Sequence, residues 1–191
     1  YVIREVTSAA YNATSTGSPN LTIRNKNHFD TLDGTFGTDS GDTDSGSFIA
    51  RYPGSLGNSL KVSVCPVGSD SGGTYFSQWT YRTQFDDAPG TSDYANTRSG
   101  TNDEVHVVVI DEDGLFSGTP GSILERYAFV SLASDARTND GSSNYAKDVI
   151  NNGSEYVYLV TFEGTLSGLT NAGTAAANTT YSASATDAID V

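Results

Sequence analysis

Residues 105–110 read VHVVVI, five β-branched side chains around one histidine. Branching at Cβ restricts χ1 in a helix and suits the pleated surface of a strand. A strand that is apolar at successive positions, not only at alternate ones, must be covered on both faces. The run DEVHVVVID at 103–111 therefore belongs in the middle of a sheet. The rest of the chain must supply its two covers. Only 36% of the 191 residues are hydrophobic, and the 20 glycines and 11 tyrosines suit short strands and long polar loops better than helices. A chain of this length makes one domain, or two small ones, and buries about 70% of its unfolded surface. The expected fold class is α+β, β-dominated, with a mixed or antiparallel sheet or a small barrel-like core, few short helices and long polar loops.

Leu60, Val62 and Val64 alternate with Lys61 and Ser63, the period of a strand with one buried face. The turn PGSLGN at 53–58 feeds it. Pro53 fixes the approach, Gly54 and Gly57 allow backbone angles closed to other residues, and Asn58 bonds its own backbone, so the turn sets the register of the strand. In TYFSQWTYRTQF the odd positions Tyr75, Trp79, Tyr81 and Phe85 fall on one side, an aromatic face of the kind found in cores and interfaces. ILERYAFVSLA fits neither period cleanly and is read as a strand, as are YVIREV and EYVYLVTF; in NLTIRN, Leu21 and Ile23 share a face. SNYAKDVIN predicts a short helix with Ser142 or Ser143 as its cap, Tyr145, Val149 and Ile150 on one face, and Gly153 as its stop. Residues 30–47 have too few apolar groups to hold a shape alone and read as an exposed acidic loop, while 164–191 are small, low in complexity and read as linker or arm.

Ten basic residues against 23 acidic ones give a formal charge of −13, which repels nucleic acid and anionic lipid headgroups. No apolar run approaches the roughly 20 residues of a membrane-spanning helix. The lone Cys65 reads as a small buried apolar group. Of the two histidines, His28 sits in a polar loop and His106 has a structural place in the strand run; a Cys65–His106 nucleophile pair has no local oxyanion hole or orienting partner. DEDGLFSGTPGSILE has Asp111 and Asp113 but puts Leu115 at the fifth calcium-ligand position, and DSGDTDSGS has no glutamate behind it, which leaves Asp39, Asp42 and Asp44 as an irregular loop candidate at most. GSLGNS lacks the lysine and the following helix of a phosphate loop. Glu112 and Asp113 are adjacent, so they point apart and do not form the paired carboxylates of a glycosidase. The sequons at Asn12, Asn20, Asn152 and Asn178 matter only in a eukaryotic secretory setting. The reading is of a non-enzyme with no cofactor and no metal.

Four stretches resemble the contractile tail sheath proteins of myophages, in particular the T-even-like and marine cyanophage type. YVIREVTSAAYNAT is similar to a sheath segment in which a Tyr-Val-Val-Arg strand leads into an alanine-rich stretch. FIARYPGSLGNSLKVSV resembles the sheath motif Ala-Arg/Lys-Tyr-Pro-Gly-x-x-Gly-Asn-x-(Leu/Ile)-Lys-Val, matched at Ala50, Arg51, Tyr52, Pro53, Gly54, Gly57, Asn58, Leu60, Lys61 and Val62. DEVHVVVIDEDGLFSGTPGSILERYAFVSLASDART and SSNYAKDVINNGSEYVYLV are similar to the segments that follow it, so the resemblance covers about 1–160.

The resemblance implies a sheath-like β-rich domain at 1–163, with 164–191 leading to a C-terminal region, in an interior fragment that lacks the initiator methionine. It implies a structural subunit of a bacteriophage virion that forms stacked hexameric rings around a tail tube. The helical assembly then contracts to drive the tube through the host envelope for genome ejection. The implied partners are other sheath copies, the tube protein, the baseplate and the tail terminator, with assembly in the host bacterial cytoplasm. Candidate subunit-contact charges are Arg24, Lys26, Arg51 and Lys61 against Asp39, Asp42 and Asp44. The alternative is a β-rich extracellular binding module, an adhesin or carbohydrate-binding domain, with Tyr75, Trp79 and Tyr81 stacked on sugar and the Asp loop holding calcium.

Overall fold

A computed structural model describes residues 10–15, 21–32, 46–162, 169, 171–183 and 188–190. The YVIREV segment and Asp39, Asp42 and Asp44 lie outside the described residues. The described elements run β1 (Asn12–Thr14), α1 (Lys26–Leu32), β2 (Phe48–Pro53), β3 (Leu60–Pro66), β4 (Ser69–Asp70), β5 (Gly73–Thr74), α2 (Tyr75–Gln78), α3 (Asp93–Asn96), β6 (Glu104–Asp111), β7 (Ser122–Ser131), α4 (Ala146–Gly153), β8 (Val157–Leu159) and β9 (Ala188–Asp190). Short 3-10 turns occupy Gly57–Ser59 and Arg82–Gln84. The fold is β-dominated α+β with antiparallel sheets, and no sheet closes into a barrel among the described residues.

The β-branched run becomes β6, and it is interior to a four-stranded sheet of order β7-β6-β3-β9. Its odd positions Val105, Val107 and Val109 join Leu60, Val62 and Val64 of β3 in the main core, while Val108 and Ile110 lie with Cys65 under the aromatic segment. Successive strand residues point to opposite faces, so one strand feeds two cores. Full burial of each valine contributes about 1.5–3 kcal/mol, and an apolar run pays off only where both faces are covered.

A smaller sheet, β1-β2-β8, packs Phe48, Ala50, Val157 and Leu159 into the main core from the other side. Its outer face carries Ile49 and Tyr158, which α1 covers with Phe29; the Phe29 and Tyr158 rings stack with centroids 4.3 Å apart. Asn151 on α4 donates from Nδ2 to Leu159 O at 2.9 Å and accepts from Leu159 N at 2.7 Å, which fixes α4 to β8 as a neighbouring strand would. Asn12 does the same for the entry of the chain, donating to Ala50 O and accepting from Ile23 N.

Several expectations differ. The 75–85 segment is not an extended face; it folds into α2 and a 3-10 turn, with Thr74 as cap through Ser77 N, yet the aromatic side chains still converge. Burial of Tyr75 and Trp79 over the sheet outweighs their strand propensity. Of the acidic loop expected over 30–47, Asp30, Thr31 and Leu32 belong to α1, whose Lys26–Asp30 pair spans one helical turn at 2.8 Å, Ser47 is buried, and 33–45 lie outside the described residues. The cap of α4 is Tyr145, not Ser142 or Ser143; Ser143 instead donates to Asp148 and accepts from Tyr145 N. The small-residue stretch after 164 is no free arm in its described part. Leu169, Ala176 and Tyr181 are buried in the main core, and β9 pairs with β3. Small side chains permit this: a Cβ at Gly100 would meet Ala176 O at 2.3 Å.

Candidate functional site: the glycine turn and its charged neighbours

The 53–59 turn joins the two sheets, β2 in one and β3 in the other. Its two glycines are required for different reasons. Gly54 has φ +90°, in the left-handed region, with nothing near the place of a Cβ. Gly57 lies outside that region, and an added Cβ would sit 2.6 Å from Tyr52 O and 2.9 Å from Ala50 Cβ. The angle argument thus holds for Gly54, whereas close approach selects Gly57. Asn58 is exposed, and its backbone amide donates to Ser55 O at 3.3 Å. Pro53 is buried at the end of β2.

Ser59 is the residue that locks the turn, and sequence reading passed over it. Its Oγ donates to Asp111 Oδ1 at 2.6 Å and accepts from Asp113 N at 3.2 Å. The other Asp111 oxygen accepts from Phe116 N, Ser117 N and Ser117 Oγ at 3.0, 2.7 and 2.7 Å. Burial pushes this carboxyl up, but the bonds from Ser59 and from Ser117 and Phe116 outweigh it and bring Asp111 down to about 2. The Asp111 that could have served a metal is spent organising the 112–121 loop. Among the described residues no group of three His, Cys, Asp or Glu side chains is placed to hold a metal ion. The available signal was an aspartate closing an apolar strand ahead of a Gly-Ser loop.

Three of the four candidate contact cations, Arg51, Lys61 and Lys26, have internal partners. Arg51 donates from Nε to Val157 O at 3.0 Å and from Nη2 to Asn151 O at 2.7 Å, with its guanidinium 4.1 Å from the Tyr158 ring centroid. Tyr158 is therefore held between Arg51 and Phe29. Lys61 pairs with Glu112 at 2.7 Å across the β3–β6 edge of the turn, and Lys26 pairs with Asp30. Arg24 is exposed, and its backbone amide donates to His28 Nδ1 at 3.3 Å.

Cys65 and His106 are directly opposed across β3 and β6, a juxtaposition the sequence did not reveal. They do not make a nucleophile. Burial pushes the Cys65 thiol up to about 12, and its Sγ contacts Pro66 O. His106 has both ring nitrogens committed to backbone, Nε2 to Asp87 O at 2.9 Å and Nδ1 to Phe129 N at 3.1 Å. Tyr75 and Trp79 are each 5% exposed, and Trp79 Nε1 donates to Ser63 Oγ at 2.8 Å, so these rings are core and present no sugar platform. Asn12 is buried and bonded; Asn152 is exposed, and Asn178 has φ +54°.

No protein-family model matches the chain. Its sequence is similar to the tail sheath protein of Salmonella phage ViI, 34% identical over 123 residues, which is 64% of this chain and 16% of that protein. The aligned part thus spans about 16% of the length of the curated relative.

Proposed function

We propose that this chain is part of a structural subunit of a phage contractile tail sheath. The observation that carries the reading is the 34% identity to the ViI sheath protein, in a chain whose own motifs resemble the same family. The subunits would assemble as stacked hexameric rings around a tail tube, joined to a baseplate and a terminator. A switch between two subunit packings would release the energy of the extended lattice. The chain would form a β-rich unit that takes Leu169, Ala176 and Tyr181 into its own core, assembled in the host cytoplasm and carried in the virion. Commitment of Cys65, His106, Trp79 and Asp111 to internal bonds supports a structural reading over a catalytic or sugar-binding one.

Within that reading Arg24, with the half-exposed Lys26 and Lys61, would face the Asp39, Asp42 and Asp44 loop of a neighbouring copy, while Arg51 would serve the fold of its own copy. The test is electron microscopy of the full-length polypeptide that contains this sequence, with immunogold labelling by antibodies raised against residues 46–162. Regular labelling along tubular polymers or intact tails supports the proposal. Labelling confined to fibres or the capsid, with no tubes formed, overturns it.

A further inference from the structure

The pairing of β6 with β7 is broken at His106. Val105 pairs with Val130 and Val107 with Tyr127, which leaves Ala128 and Phe129 opposite a single residue. This is a β-bulge, and Phe129 occupies it at φ +53°, a left-handed conformation that is strained for a bulky residue. Two bonds hold it there, and a third anchors Asn144 to β7. Phe129 N donates to His106 Nδ1 at 3.1 Å, Asn144 Nδ2 donates to Phe129 O at 3.0 Å, and Ser131 N donates to Asn144 O at 2.8 Å.

The first of these bonds depends on one protonation state. A backbone N–H can only donate and a carbonyl can only accept, so the contacts to Phe129 N and Asp87 O fix His106 as the neutral Nε2–H tautomer. The ring is fully buried, stacked on Phe85 at 4.2 Å and met edge-on by Phe129 at 4.6 Å. A proton on Nδ1 would set donor against donor at Phe129 and place a cation among aromatic rings. Water is one side chain away, because Phe85 and Phe129 also line an open groove of about 370 Å³ with Gln84, Asp86, Arg126 and Ala128.

We propose that His106 and Phe129 form an acid-sensitive latch, in which protonation of the imidazole releases the Phe129 amide and, through Asn144, loosens the β7 bulge from the segment leading into α4. The charge that acts on the ring is the Asp87 carboxylate; Cys65 lies opposite it on β3, Glu104 is two residues away on β6 and bonds Gly90 N, and Asp86 and Arg126 line the groove beside Phe85 and Phe129. Burial lowers the affinity of His106 for a proton, and the Asp87 carbonyl and carboxylate work against that. With the native value below the ordinary 6.5, the unfolded or released chain binds the extra proton first. The latch is therefore closed above that pH and weakens as the pH falls below it.

The experiment is an NMR titration of the full chain from pH 7.5 downward, following the His106 ring nitrogens and the Phe129 and Asn144 signals, with amide exchange at Phe129 read as a protection factor. The expected result is an Nε2–H tautomer at neutral pH, then a joint shift of His106, Phe129 and Asn144 with one midpoint and a tenfold or greater loss of Phe129 protection. His106→Asn keeps an acceptor for Phe129 and cannot titrate, so it removes the response. Titration of His106 with no change at Phe129, an unaltered acid response in H106N, or global unfolding before any local change would each overturn the latch. The wild-type titration decides the matter if H106N fails to fold.

Discussion

Ser59 Oγ donates to Asp111 Oδ1 at 2.6 Å, between the last residue of the turn that enters β3 and the last residue of β6. The bond closes a register in which Leu60 faces Asp111 and Pro66 faces Val105. Replacing the carboxylate leaves the amides of Phe116 and Ser117 facing an amide group. Asp111→Asn is expected to lower stability by about 1.5–3 kcal/mol, the loss of a buried charged acceptor for part-buried amide and hydroxyl donors, as read in urea melts. Ser59→Ala loses less, about 1 kcal/mol, since three of the four Asp111 bonds survive.

The same carboxylate sets an acid limit. Its folded value is depressed to about 2 from 3.8, so the stability it contributes is complete above about pH 4 and lost as the pH falls through 2. Melting midpoints between pH 5 and 2 should decline for the wild type and decline less for Asp111→Asn. Parallel curves for the two proteins would show that the carboxylate is not the group responsible.

Gly54 and Gly57 should respond differently to the same substitutions. Gly57→Ala forces a Cβ against Tyr52 O and the Ala50 side chain and should cost about 1–3 kcal/mol, with Gly57→Asn worse. Gly54→Ala meets no atom but must hold φ +90°, for about 1–2 kcal/mol, and Gly54→Asn should recover part of that because asparagine tolerates left-handed backbone. Thermal melts of the four variants separate crowding from backbone strain by which asparagine recovers stability.

Arg51 should be worth far more than Lys26. Arg51→Lys forfeits the forked bonds to Val157 and Asn151 carbonyls and the stack over Tyr158, an expected loss of about 1–3 kcal/mol. Lys26→Ala breaks an exposed one-turn pair and should change stability by less than about 0.5 kcal/mol. Denaturant midpoints compared at fixed salt test the order.

Cys65 should resist alkylation while the chain is folded. It is fully buried with its thiol pushed up to about 12, so little thiolate exists at pH 8 and no reagent reaches it. Mass spectrometry after iodoacetamide treatment should find modification only in denaturant. Rapid labelling of native protein would place Cys65 outside the core.

What the sequence determined by itself was set by local chemistry. The β-branching of 105–110 made a strand, its lack of alternation required cover on both faces, and the period of 60–64 gave a neighbour with one apolar side. The glycine turn was legible because proline and glycine restrict or free the backbone wherever they stand. What tertiary structure decided depends on partners distant in sequence. The role of Gly57 follows from Tyr52 and Ala50 across the turn, and that of Asp111 from a serine 52 residues earlier. Burial then made 75–85 a helix and a turn over the sheet, and brought Ala176 and Tyr181 of a low-complexity stretch into the core. Propensity is worth tenths of a kcal/mol per residue, whereas a buried ring is worth several times that, so burial settled those segments.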